Sequence, residues 1–182
     1  MKRTINLSLM LAVVLLAFTA TKAGAQNADK PYHQKDMVGD NPTADADIKT
    51  VSNYTNWIVA GDIDKANALL ASNFKGYGPG PVDSANMEQS TKAWQENYKT
   101  ETNRKVNFVA QTFLVKSGNL AGKWVSTWGE YTFTQDGKTV TLPYMCSYHV
   151  TNGKIDMTRI YYDRLALVTA LGYTLTPPAG SK

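Results

Sequence analysis

The chain has 182 residues, with 19 Lys and Arg against 15 Asp and Glu, two histidines and one cysteine. A lone cysteine, Cys146, excludes an internal disulfide framework, and the scattered basic residues form no stripe of the kind that binds nucleic acid. This length suits one domain with one core, held by packing alone.

Lys2 and Arg3 precede an apolar run, Leu7 to Ala20, that is too short to span a bilayer, and Ala23-Gly24-Ala25 follows it. This pattern predicts a secretory signal peptide over residues 1–25, cut before Gln26, and a periplasmic or secreted bacterial protein without a stable membrane anchor. Cleavage takes three of the 19 basic residues and no acidic one, leaving 16 against 15. The basic balance of the whole chain therefore says little about partners.

Residues 26–42 carry Asn, Asp, Lys, Gly and two prolines with almost no apolar periodicity, and read as a flexible leader. From Thr43 the pattern turns helical: Ile48, Val51, Thr55 and Ile58 share a face, and Gly61 ends it. Asp62 is placed to cap a second helix with Ile63, Ala66, Leu69 and Leu70 on its apolar side. Phe74 to Pro81 reads as a short extended piece. A third helix is expected from Asp83 or Ser84, with Met87, Thr91, Trp94 and Tyr98 on one stripe.

After Arg104 the period becomes two. Four strands are predicted, Val106–Val115, Lys123–Thr134, Thr139–Thr151 and Lys154–Tyr162. Their separators are Ser117-Gly118-Asn119, Gln135-Asp136-Gly137 and Asn152-Gly153. Such spacing makes an antiparallel meander. Asp163 then caps a short helix, Arg164 to Leu171, which Gly172 terminates. The predicted fold is α+β, three helices on a sheet with one closing helix.

The tail, Gly153-Lys154-Ile155, then Tyr162-Asp163, Leu167 and Leu171-Gly172, resembles the SnoaL-like branch of the nuclear-transport-factor-like superfamily. The resemblance implies a SnoaL-like domain over 43–175 and a flexible tail over 176–182. It also implies a curved antiparallel sheet, a cone-shaped, cystatin-like roll around a conical pocket. Within that superfamily, Gly61-Asp62-Ile63 is similar to a turn of ketosteroid isomerase, and Tyr54, eight residues before Asp62, stands where that enzyme keeps its oxyanion tyrosine. The ungapped match puts Gly78, before Pro79, at the position of its general-base aspartate. Glycine takes no proton, so that isomerase reaction is not expected in its usual form.

Candidate proton-handling residues are Tyr54, Glu130 and Asp163. Glu130 shares parity with Trp124, Ser126 and Trp128, whereas Val125, Thr127, Tyr131 and Phe133 point the other way. Apolar residues occupy both sets, so the pattern leaves open which lines the pocket. It also suggests that a second copy of the sheet covers the outer face, giving a homodimer. Tyr54 also reads as a core tyrosine, and Asp163 as the cap alone. Ligand-facing candidates are Trp57, Tyr77, Trp94, Trp128 and Tyr144. His149 has no His, Cys or carboxylate partners at ligand spacing, and Cys146 falls on the opposite face of its strand, so neither a metal site nor a Cys-His dyad is expected. No cofactor motif is visible. The sequence thus favours a binder of a small apolar or aromatic molecule, with a cyclase, isomerase or hydratase using Tyr54 with Glu130 or Asp163 as the alternative.

Overall fold

A computed structural model describes residues 33–174 and 176; the predicted signal peptide and most of the predicted tail lie outside them. Helix α1, Ala44–Ala60, buries Val51, Tyr54, Thr55, Ile58 and Val59 along one face, as the 3.6-residue period dictates. Its backbone closes where the Gly61 N–H bonds to the Trp57 carbonyl at 3.0 Å. A second, five-residue helix follows, α2, Ile63–Asn67. Asp62 precedes it as expected, but its side chain pairs with Lys65 at 2.8 Å and caps no backbone N–H.

Helix α3 spans Met87–Thr100. The Asn86 side chain accepts from the Gln89 N–H while the Gln89 side chain accepts from the Asn86 N–H, both at 2.9 Å, a reciprocal cap that fixes the start. The predicted start at Asp83 or Ser84 is therefore early by one short element, because Ser84–Asn86 form a strand.

Among the described residues seven strands make one sheet: β1 Val38–Gly39, β2 Leu70–Tyr77, β3 Ser84–Asn86, β4 Thr102–Val115, β5 Gly122–Gln135, β6 Lys138–Thr151 and β7 Lys154–Tyr161. Their spatial order is β1-β4-β5-β6-β7-β2-β3. The meander β4 to β7 is antiparallel throughout, with β5 paired to β6 from Lys123↔Val150 to Gln135↔Lys138. Asn152 and Gly153 both have positive φ, 51° and 73°, as a two-residue hairpin turn requires. Contrary to the antiparallel expectation, the sheet is mixed: β2 runs parallel to β7, in register Gly76↔Thr158 and Tyr77↔Arg159. Parallel neighbours need a long crossover, and here β3, α3 and the strands β4 to β6 lie between the two in the chain. β1, inside the segment read as a leader, pairs with the end of β4.

A last helix, α4, covers Arg164–Ala170. The core gathers Val51, Ala66, Val125 and Ile155, all without solvent exposure, between α1, α2 and the inner face of the sheet. The architecture is α+β.

Candidate functional site

Between α1, α3 and the inner face of β5 to β7 lies a cavity of about 490 Å³, within the usual range for small-molecule sites. α1 contributes Tyr54, Thr55, Ile58 and Val59; α3 contributes Ser90, Ala93, Trp94 and Asn97. The sheet supplies Tyr131, Phe133, Tyr144, Cys146 and Tyr148. On β5 the inward parity is thus that of Tyr131 and Phe133. This settles the question left open by the alternation, since Glu130 and Trp128, one residue out of phase, stand exposed on the other face.

Four of the sequence candidates line the cavity: Tyr54, Tyr77, Trp94 and Tyr144. Tyr54 meets Tyr148 edge to face at 6.1 Å, and Tyr148 shares a hydrogen bond with Thr55 at 3.1 Å. Burial pushes the phenols of Tyr54 and Tyr148 up from their usual range, that of Tyr144 up to about 12, and the Cys146 thiol also up to about 12. At neutral pH these groups are protonated, so Cys146 is no thiolate nucleophile. The Tyr144 hydroxyl is buried without a hydrogen bond of ordinary geometry, its polar neighbour being the equally buried Thr127 hydroxyl. Tyr77 stands at the cavity's edge, its ring flanked by Arg159 at 5.1 Å and Lys75 at 5.9 Å.

The other four lie elsewhere. Trp57 is half-buried and packs against the core, one turn along α1 from Tyr54, without reaching the cavity. Trp128 and Glu130 are on the outer face. Asp163 is exposed, and its Oδ1 accepts from the Ala166 N–H at 2.8 Å, so it caps α4, a contact that typically stabilises by about 1 kcal/mol. Tyr54, Glu130 and Asp163 are therefore not brought together, which corrects the catalytic set read from the sequence. His149, also outside the cavity, bonds to Asp156 at 2.6 Å.

Two carboxylates that the sequence reading passed over do line the cavity. Asp83 reaches back over the Gly78–Gly80 turn: a Cβ at Gly78 would lie 2.9 Å from the Asp83 Cβ, and one at Gly80 2.7 Å from its Oδ2. The space a side chain at position 78 would take is filled by Asp83. Its Oδ2 accepts from the Gly80 N–H at 3.1 Å and from Arg164 at 2.7 Å, tying this turn to α4. Glu101, the residue that ends α3, is buried, and its Oε2 accepts a hydrogen bond from Tyr131 at 2.5 Å. Burial raises the Glu101 carboxyl above its usual range, against the opposing pull of Tyr131 and Arg104. A charged residue between a polar helix end and a strand carries no periodic signal, and only the juxtaposition of α3 with β5 could have marked it.

No protein-family model matches the chain, and no curated protein matches it by sequence. Solved structures do. A protein of Jannaschia sp. CCS1 assigned as a SnoaL-like polyketide cyclase superposes with a TM-score of 0.61 at 16% identity, covering 75% of this chain and 99% of that one. An NTF2-like protein of Burkholderia xenovorans LB400 gives 0.53 at 18% identity, over 70% and 96% of the two chains. The fold is that of the SnoaL-like and NTF2-like proteins. A Catenulispora acidiphila DSM 44928 protein with a ketosteroid isomerase-like fold, solved in complex with trimethylamine, gives 0.56 at 14% identity over 71% and 98%. At such identities the SnoaL-like likeness carries architecture and no activity.

Proposed function

We propose that this chain is an exported SnoaL-like protein that holds a small apolar or aromatic molecule in the cavity, within a cone-shaped, cystatin-like roll. The observation that carries the reading is the cavity itself: about 490 Å³ walled by aromatic rings, with the Tyr144 hydroxyl on its wall. Apolar walls with a few placed polar groups suit a small aromatic ligand. The test is calorimetric titration with 2-naphthol. Saturable binding in the micromolar range, on the order of 1–100 µM for a ligand this small, is expected. Val106→Trp, which fills the cavity from β4, should abolish it while the protein stays folded. Equal binding by that variant would place the ligand elsewhere.

Export is supported by the charged start, the apolar run and Ala23-Gly24-Ala25. The intact mass of the exported protein is expected to begin at Gln26; a species retaining Met1 would reject cleavage. No described helix is long and apolar enough to cross a membrane.

Self-association is supported by one row of side chains. Val109, Trp128, Met145 and Tyr161 are directly opposite one another across β4, β5, β6 and β7, on the outer face, at 56%, 39%, 49% and 50% exposure. A continuous apolar row of this kind is normally covered, and a second copy of the sheet fits it. Sedimentation at micromolar concentration should give a dimer, and Met145→Lys a monomer. A monomeric wild type would refute it.

A further inference from the structure

Among the described residues lining the cavity there is no lysine, arginine or histidine, whereas two are carboxylates, Asp83 and Glu101. Asp83 is answered by Arg164. Glu101 is not: within 4.0 Å of its carboxylate there is no basic nitrogen among the described residues. Arg104, three residues on, turns its donors to backbone, Nε to the Val59 carbonyl at 3.1 Å and one Nη to the carbonyl of Glu101 itself at 2.5 Å. Its guanidinium lies over the Tyr98 ring, 4.6 Å from the centroid. The Glu101 carboxylate therefore has one hydrogen-bond partner, Tyr131, and no paired cation, although Glu101 is only 8% exposed. A buried carboxylate so sparsely answered is costly unless something else meets it.

What stands beside it is aromatic. Trp94 meets the Tyr131 ring nearly perpendicular, at 6.1 Å and 79°, and Phe133 stacks on Tyr131 at 5.3 Å. Ring faces carry the negative part of the aromatic quadrupole and attract cations. Glu101 also stands at the C-terminal, negative end of α3, which favours positive charge. Carboxylate, helix end and ring faces all act with the same sign, and Arg104 is the charge that opposes them.

We propose that Glu101, with the Trp94–Tyr131–Phe133 wall, is the recognition site for the cationic nitrogen of a small amine-bearing ligand. The cavity then prefers organic cations to neutral molecules of the same shape. This rests on the cavity being a ligand site and adds the class of molecule that it takes.

The test compares two ligands of one shape by calorimetry, 3-hydroxybenzyltrimethylammonium and its uncharged carbon isostere 3-neopentylphenol. At pH 8 the cation should bind wild-type protein about tenfold more tightly. Glu101→Gln should remove that preference, and Glu130→Gln, on the outer face of β5, should leave it intact. In the wild type the preference should fade as pH falls and Glu101 takes up a proton, since the quaternary nitrogen itself does not titrate. That profile decides the matter if Glu101→Gln fails to fold. Equal binding of the two ligands, or a preference that survives both Glu101→Gln and acid, overturns the inference while the cavity reading stands. If neither ligand binds, the cavity reading falls and takes this inference with it.

Discussion

Gly129→Ala is expected to destabilise the protein by about 3 kcal/mol or more, beyond the usual range for adding one methyl group. A Cβ at Gly129 would lie 1.9 Å from the Asn107 carbonyl oxygen and 2.6 Å from the Cα of Phe108. Both are backbone atoms of β4, so no rotamer change relieves the contact. β4 would have to separate from β5 in the middle of a ladder that runs from Lys105↔Thr132 to Val115↔Gly122. The cavity wall goes with it, because Val106 and Tyr131 are paired two residues away. Urea unfolding of the variant checks this; a loss below about 1 kcal/mol, with an unchanged slope, would mean that the strands can part locally at little cost.

Asp47→Ala should cost a similar amount, about 2–4 kcal/mol, from charge and hydrogen bonding and not from volume. Asp47 sits in the first turn of α1 and is 1% exposed. Its Oδ2 accepts from Asn41 at 2.8 Å and Thr43 at 2.6 Å, and Lys123 of β5 approaches it to 3.5 Å. The Asn41 side chain also donates to Thr112 of β4 at 2.8 Å. One carboxylate thus fastens the segment before α1 to the sheet. Removing it takes an acceptor from the buried Asn41 amide and from the Thr43 hydroxyl, and leaves Lys123 without its carboxylate. Asp47→Asn keeps an acceptor and should lose less. Thermal unfolding of the two variants checks the order, and equal melting temperatures for Asp47→Ala and wild type would show the network to be energetically idle.

The parts of the fold legible in the sequence are those encoded locally. β4 to β7 follow from period two and from turns such as Asn152-Gly153, whose backbone demand only a few residues meet. α1 follows from its apolar stripe. By contrast, the sequence carries no mark of β2 lying beside β7, since nothing near residues 70–77 names a partner so distant. The site was half legible for the same reason. Tyr54 and Trp94 lie on helical faces that must turn inward. The face of β5 could not be chosen, because Trp128 and Met145 make its outer side as apolar as its inner one. Glu101 lies in no periodic pattern. It acquires a role only when α3 delivers it to Tyr131.

The parallel pairing of β2 with β7 bears on when the ligand site comes into being. A chain leaving the ribosome presents Phe74 and Tyr77 early, yet their strand has no β7 partner until residues 154–161 have emerged and the meander has closed. Helices and hairpins form fast from near neighbours, whereas this contact spans most of the domain and carries the entropic penalty of a large loop. The pocket is therefore among the last features to form. A chain cut short before β7 would retain α1, α3 and three long strands while lacking the strand that joins β2 to the rest of the sheet.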